Sequence, residues 1–496
     1  MQLQAVAQPE APVVAGNAAA SPGKRVIMKF GGSSVANAER VQHVAALISS
    51  QIDETGIWPI VVVSAMGKTT NLILAAAERA VNEGIVRVDD IRQVHIDAIE
   101  ILGLPPTTGR DVRQLLRDLE SLLDGVSMVR ELSPRTRDLV VSFGERMSVR
   151  VLAAQMFKAH NIPAIATDAW SLGVRTVGNF GDANVDEACY ADIAANLDDL
   201  CLRQRQVPIV TGFIGHDRDG RVTTLGRGGS DLTATVLGAA GTAVEVQVWK
   251  DVDGMMSADP RVVENAVPVP FVTYEEAAEL AYFGAQVLHP ISMQPALRFN
   301  TPVRVKNSYN PSHPGTLIAS KESIEGERAK SPRTSIVVAI TTKRNITLVD
   351  IVSLRMLGQP GFLAGVFGVF ERDGVSVDVV ATSEVSVSLT LDKKQELSKD
   401  ALGDLAKIAQ VSIHRNRSIV SFIADVKQST YLIARVFAVL HNIGVEVEML
   451  SQGASKVNIS LVVQDDDAQK VLAALHDCFF SAEADRPAFC APLALK

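Results

Sequence analysis

An α/β sandwich followed by two repeated βαββαβ units is the fold class that the sequence predicts, on three observations. Short apolar runs alternate with longer helical stretches from residue 25 to about 316, the signature of βαβ units on a mainly parallel sheet. Beyond residue 340 the chain repeats itself with an offset of 70 residues, the self-similarity that marks a duplicated structural unit. Between the two lies 320–332, SKESIEGERAKSP, charged and without periodicity, which reads as a linker or surface segment.

In chain order, 26–30 is the first expected strand, followed by a Gly-Gly turn and a helix over 39–50. A second strand at 60–64 precedes a helix from Asn71. Further strands are expected at 164–167, 208–212 and 244–248, with helices at 146–159 and 232–240. In the repeat, Leu363, Val366, Phe367 and Phe370 recur as Ile433, Val436, Phe437 and Leu440, an i, i+3, i+4, i+7 helix stripe in both copies. Gly374 recurs as Gly444, and Val387, Leu389 and Leu391 recur as Val457, Ile459 and Leu461 at strand period. With strands at 346–353 and 418–424 and closing helices near 396–409 and 467–478, each copy is a ferredoxin-like βαββαβ unit. Strand exchange between the copies stays open, and two copies in one chain suggest a paired regulatory module. The expected division is a flexible tail 1–24, an α/β domain 25–318, a linker 319–334 and repeat units 335–415 and 416–496.

Composition narrows the function. The 496 residues hold 48 Lys plus Arg against 56 Asp plus Glu, a net charge of -8, so no global basic field is available for a polyanion. Aromatic residues are only 5%, which also argues against base-stacking platforms. No apolar stretch approaches the roughly 20 residues of a spanning helix, so a soluble protein with no membrane partner is expected. Cys189, Cys201, Cys478 and Cys490 sit in no metal-ligand spacing, and free thiols in a reducing compartment are the simplest reading. Residues 1–23 carry only Glu10 as a charge, which fits neither a secretory signal nor an Arg-rich transit peptide. Cytosol and plastid stroma both remain open.

Three segments could carry chemistry. Lys29-Phe30-Gly31-Gly32-Ser33-Ser34 ends a strand before a helix; two glycines let the backbone approach a phosphate, and a lysine can neutralise its charge. A Gly-Gly turn beside a surface lysine would look the same. It is neither a GxxxxGK[ST] loop nor GxGxxG. In 224–231, TLGRGGSD, Ser230 can cap the following helix while glycine N–H groups and Arg227 offer an anion site. A tight turn with an N-cap explains the glycines but not the arginine between them. In 142–145, SFGE, Glu145 stands at the start of an apolar helix, where an acid is commonly a dipole partner.

Taken jointly, 29–35 (KFGGSSV), 61–71 (VVVSAMGKTTN), SFGE, TLGRGGSD, 249–261 (WKDVDGMMSADPR) and 283–290 (FGAQVLHP) resemble aspartate kinase, in order and at natural spacing. The repeats look like its two ACT domains, and the resemblance, over about 25–480, is to the plant-type monofunctional, lysine-sensitive form. It implies an amino-acid-kinase (carbamate-kinase-like) three-layer sandwich with two ferredoxin-like ACT domains. It also implies ATP-dependent phosphorylation of the β-carboxylate of L-aspartate to 4-phospho-L-aspartate, the first step toward lysine, threonine and methionine, inhibited by L-lysine. Carried over position by position, it implies catalytic roles for Lys29 and Asp231. Lys29, Phe30, Gly31, Gly32, Ser33, Ser64, Lys250, Asp251, Met256, Arg261 and Gln286 would meet ATP, and Thr70, Glu145, Arg227, Gly228, Gly229 and Ser230 would meet aspartate. Met356, Gln359, Phe362, Leu363, Asp378, Ser383 and Glu384 match the lysine-contacting segment. The second copy keeps Glu448 opposite Asp378 but has Ala454 opposite Glu384, so only the first site is complete.

Some bacterial relatives carry Tyr and Lys where this chain has Met256 and Gln286, and Gln286 fits the plant-type pattern. Mg²⁺ is expected to arrive on the nucleotide phosphates, with no protein side-chain metal site, and a homodimer or higher homo-oligomer would form through the ACT domains. Glutamate, acetylglutamate and uridylate kinases lack tandem ACT units, and a fused homoserine dehydrogenase would need a GxGxxG after a strand. The alternative from another class is a catalytically inactive subunit that only binds amino acids.

Overall fold

The computed structural model describes residues 24–241, 243–283, 288–330, 336–353, 360–424, 428–452 and 457–481. Gln286, Met356, Gln359, Ala454 and Cys490 therefore lie outside the described residues.

The first strand, β1 (Arg25–Phe30), is apolar on both faces, with Ile27, Met28 and Phe30 fully buried, as a central parallel strand must be. Asn37 caps α1 (Ala38–Thr55) by accepting from the Arg40 N–H. β2 (Trp58–Val63) then lies parallel to β1. Helices α2 (Thr69–Glu83), α3 (Asp89–Ile101) and α4 (Pro106–Val129) lead to α5 (Pro134–His160). α5 starts well before the expected 146, because Ser133 caps it and Pro134 occupies its first turn, a favoured helix start.

β3 (Ala164–Thr167) falls on the expected residues. The hairpin of β4 (Thr176–Asn179) and β5 (Asp182–Val185) follows, then α6 (Tyr190–Asp198) and β6 (Val207–Thr211). A second hairpin, β7 (Ile214–His216) with β8 (Val222–Thr224), precedes α7 (Gly229–Ala240) and β9 (Glu245–Lys250). β10 (Met255–Met256) pairs with β11 (Pro268–Val269). β12 (Phe271–Thr273) enters α8 (Tyr274–Tyr282) through a capping box of Thr273 and Glu276. α9 (Gln294–Arg298), β13 (Val303–Asn307) and β14 (Thr316–Ala319) complete an eight-stranded sheet of order β12-β14-β13-β9-β1-β2-β6-β3. One face packs Met28, Phe30, Val61 and Val63 against Val41, Ile48, Leu116 and Leu152 of α1, α4 and α5. The other packs Ile27, Val62, Val210 and Val248 against Leu197, Leu237 and Leu280 of α6, α7 and α8. The result is a three-layer sandwich.

The stretch expected as an aperiodic linker contains a helix, α10 (Lys321–Lys330). Its single large apolar residue, Ile324, is fully buried, and Lys321 pairs with Glu325 one turn on at 3.9 Å. One buried anchor carries no periodicity, which is why pattern alone missed the helix.

The repeats share one six-stranded sheet. Its strands and helices are β15 (Val337–Val352), α11 (Phe362–Arg372), β16 (Val380–Thr382), β17 (Ser386–Leu391), α12 (Lys399–Ile408), β18 (Gln410–Ala424), α13 (Ser429–Asn442), β19 (Met449–Ser451), β20 (Asn458–Gln464) and α14 (Ala468–Phe480). The order is β16-β17-β15-β18-β20-β19. β15 and β18 are long, and each carries an asparagine at positive φ, Asn345 at 59° and Asn416 at 57°, beside a break in their register between Lys343 and Ile346. On one side of the break, 346–352 pairs with β17 and with the start of β18. On the other, 337–343 pairs with 419–424, which also pairs with β20. The second unit thus takes its fourth strand from chain that precedes the first unit. The helix-free sheet face is covered by Phe283 at the end of α8, against Ile346, Leu348, Val379, Ile419 and Met449. Among the described residues no helix is long and apolar enough to cross a membrane, and Cys189, Cys201 and Cys478 are buried.

Candidate active site

The carboxyl ends of parallel strands open on a crevice, the usual ligand place in an open α/β sheet. Lys29 stands at that edge of β1, in register with Val62 of β2 and Val248 of β9. Its ammonium is 2.6 Å from the Asp231 carboxylate in the first turn of α7, both side chains nearly buried. Lys250, at the end of β9, lies close enough for mutual influence. Burial pulls it below the ordinary lysine range; Asp231 opposes that, Lys29 adds to it and Asp251 opposes it again. Two ammonium groups and two carboxylates therefore line one edge.

The loop after β1 is built for close backbone approach. Gly67 N–H donates to Gly32 O at 2.9 Å, and a β-carbon on Gly32 would stand 2.6 Å from Ala65 O, so only glycine fits. Gly31 faces the crevice, where its β-position is 3.8 Å from Lys29 Nζ and 4.0 Å from Ser33 Oγ. Phe30 departs from its expected role: its ring is fully buried and stacked on Trp249 at 6.1 Å, and only its backbone borders the site. Ser64 Oγ donates to Ser230 Oγ at 2.9 Å, tying the β2 end to α7.

Ser230 is not the helix cap that the spacing suggested. α7 begins at Gly229 with Gly228 as N-cap, in the left-handed region at φ 75°. A β-carbon on Gly228 would collide with His289 Cβ, so His289 packs on the TLGRGGSD loop. Arg227 is exposed at the rim. Thr70 is partly exposed in the first turn of α2.

Glu145 also differs from expectation. It lies in the interior of α5, not in its first turn, so a dipole role is excluded. Its side chain is buried, Oε1 accepts from Ala65 N–H at 3.3 Å, and Oε2 has no hydrogen-bond partner among the described residues. Burial pushes this carboxyl up to about 8, against the opposing hydrogen bonds. A buried, half-satisfied acid beside the end of β2 holds its proton near neutral pH and can take a cation once it ionises.

Of two further residues expected at ATP, one side chain is engaged elsewhere. Arg261 is exposed and forks onto Asp259 at 2.7, 3.0 and 3.2 Å. Met256 pairs with Pro268 in the short β10–β11 ladder. In the first repeat, Asp378 is already satisfied: Lys343 Nζ sits 2.5 Å away, and Tyr282 of α8 donates to it at 2.6 Å. The second repeat mirrors this with Glu448 and Arg417 at 2.6 Å. Phe362 and Leu363 open α11, while Ser383 closes the β16–β17 turn by accepting from the Val385 and Ser386 N–H groups. Glu384 in that turn is exposed. The structure does not bring Asp378 and Glu384 together through any bond among the described residues.

Sequence reading missed Asp138. Its signal was present, since it stands seven positions before Glu145, on the same helix face two turns away. It also missed Asp253, which accepts from Asn307 at 2.9 Å and Asn310 at 3.1 Å behind Lys250.

Comparison with known proteins identifies the family. The amino acid kinase family profile matches residues 24–307, and an ACT domain profile matches 424–479. Aspartokinase 3, chloroplastic, of Arabidopsis thaliana is 48% identical over 472 residues, 92% of this chain and 82% of that protein. The crystal structure of E. coli aspartokinase III with lysine and aspartate in the T-state aligns at TM-score 0.76 and 35% identity, over 92% of this chain and 99% of that one. The same enzyme with aspartate and ADP in the R-state aligns at 0.74 and 34%, over 91% and 99%. With identity this high over nine-tenths of the sequence, and the same two-part architecture, this chain belongs to the aspartokinase family.

Proposed function

We propose that the protein transfers the γ-phosphoryl group of ATP to the β-carboxylate of L-aspartate, giving 4-phospho-L-aspartate and ADP. The observation that carries this reading is the buried, half-satisfied Glu145 carboxyl in the crevice that also holds the Lys29–Asp231 pair. The substrate's ammonium meets Glu145, and its α-carboxylate meets the planar fork of Arg227. The β-carboxylate is ionised at neutral pH and attacks the γ-phosphorus directly, so no protein base is required. Lys29 and the amides of Gly31 and Gly32 offset charge on the transferring group, and ADP leaves in line. Asp231 keeps Lys29 aimed. Mg²⁺ would arrive with ATP and neutralise charge from the phosphates themselves, since no cluster of three or more carboxylate, imidazole or thiol groups that could hold it exists among the described residues. Hydroxylamine trapping of an ATP- and aspartate-dependent acyl phosphate tests the activity, and no turnover would return the alternative of an inactive amino-acid-binding subunit.

Arg227→Lys keeps the charge but loses the fork, so KM for aspartate should rise about tenfold, in line with one lost hydrogen bond to a charged group. KM for ATP should stay near the wild-type value. Equal damage to both substrates would place Arg227 on phosphate instead.

Lysine is proposed as the inhibitor, bound at the first repeat by Met356, Gln359, Phe362, Leu363, Asp378, Ser383 and Glu384. Because Lys343 already occupies Asp378, an effector ammonium has to displace an internal one there, whereas Glu384 is open. Glu384→Ala should abolish inhibition by millimolar lysine while uninhibited turnover stays nearly intact. Retained inhibition would remove Glu384 from the site, and a response to threonine alone would change the effector.

The chain divides functionally into a kinase part over 25–318 and two ACT units joined through 319–334. Exposed Leu363 and Phe367 on α11, beside Gly365 with open space around it, support homodimer formation through the first unit. The Arabidopsis relative is chloroplastic by name, which supports a plastid stroma location here, with the cytosol as the alternative.

A further inference from the structure

We infer that Asp138 is a positioning residue that holds the two halves of the aspartate site in register. This rests on the reading that Glu145 and Arg227 bind the substrate. Asp138 is 1% exposed and sits on α5 two turns before Glu145, about 10 Å along the same helix. Its Oδ2 accepts from Thr224 N–H at 2.8 Å and from Gly181 N–H at 2.9 Å. Its Oδ1 accepts from Thr224 Oγ1 at 2.9 Å.

Three segments with no other shared ladder converge on this one side chain. Thr224 is the last residue of β8 and the first of the TLGRGGSD loop, so the two bonds to it fix where Arg227 begins its reach. Gly181 is the tip of the β4–β5 hairpin, and the next residue, Asp182, stands against Gly226, next to Arg227. α5 carries Glu145 in turn. A change in the tilt of α5 is thereby passed to the loop, and the distance between the ammonium acceptor and the carboxylate fork is set by one buried group. Ordinary core packing would not select an acid here, because a buried carboxyl must find donors for its oxygens. Asp138 touches none of the reacting atoms, and its effect is expected on aspartate alone, since Lys29 and the Gly-Gly loop hang on β1.

The test is steady-state kinetics with both substrates varied, alongside thermal melting. Asp138→Ala removes both acceptor oxygens, and with them all three bonds, and should raise KM for aspartate about tenfold or more, the scale of buried donors left unpaired, with KM for ATP within about twofold. Asp138→Asn should recover most of this loss: its amide oxygen can take both N–H bonds, and its NH2 can donate to Thr224 once that hydroxyl turns. Thr224→Val, which removes only the hydroxyl bond, should move the same constant in the same direction by less, and it answers the question if the alanine variant fails to fold. Added to Arg227→Ala, Asp138→Ala should bring little further loss for aspartate, because both act through one loop. An unchanged aspartate KM in Asp138→Ala and Thr224→Val, with Arg227→Ala still impaired, overturns the inference and leaves the substrate reading standing. An unchanged aspartate KM in Arg227→Ala overturns the substrate reading and this inference with it. Equal loss for both substrates, or a lower melting temperature with unaltered kinetics, assigns Asp138 to the fold alone.

Discussion

Lys29→Ala is expected to lower turnover about 100- to 1000-fold, the loss of roughly 2.7–4 kcal/mol that follows removal of a preorganised electrostatic group. The size follows from where the ammonium sits. It is nearly buried at the strand end, aimed by Asp231 at 2.6 Å, and it faces the loop whose backbone can reach the phosphates. In such a place a fixed charge acts with little solvent screening and needs no reorganisation as the phosphoryl group moves. The variant also leaves Asp231 without its cation, so melting should be measured beside turnover. Near-normal turnover in a folded variant would remove Lys29 from the chemistry and leave the glycine loop as a structural turn.

Glu145→Gln should weaken aspartate by at least about 30-fold, since breaking one side of a buried charge pair costs about 2–5 kcal/mol. ATP binding should be nearly unaffected. The wild-type enzyme should carry a pH signature that this variant lacks. The free carboxyl titrates at about 8, so near pH 7 it is mostly protonated, while the substrate ammonium requires the carboxylate. Apparent aspartate affinity should therefore rise with pH up to about 8 and level off above it, by at most tenfold per unit. Binding below pH 8 should release a proton, visible as a calorimetric heat that changes with buffer ionisation enthalpy. Folding stability runs the other way. Between the usual value of 4.5 and about 8 the native state holds a proton that the unfolded chain has lost, so stability falls as pH rises through that window. Glutamine should flatten both profiles. A flat affinity profile in the wild-type enzyme would sink the ammonium role.

What could be read from the sequence was whatever leaves a local pattern. The strand at 164–167 and the repeat offset of 70 residues are written in apolar spacing alone. The early start of α5 is written too, in Ser133-Pro134, ahead of the expected 146. Once α5 is given its true start, Glu145 moves from a helix cap to a buried interior position and its chemistry changes. Pairing is a different matter. The residues at 337–343 carry nothing that names a partner, so their union with 419–424 emerges only in three dimensions. Side chains shared between distant segments were equally silent. Arg261 could have met phosphate as readily as Asp259, and Lys343 gave no sign that it would occupy Asp378.

The long strands β15 and β18 have a thermodynamic consequence. Because each crosses from one repeat into the other, melting either repeat strips hydrogen-bonded neighbours from its companion. The two are nested as well, with the first inserted between the edge strand of the second and the rest of it. Such a sheet opens as one cooperative unit rather than as two. A ligand held by one repeat therefore stabilises both, and at 100 times its dissociation constant it contributes about 2.7 kcal/mol to the whole sheet, including the face on which Phe283 of the kinase part rests.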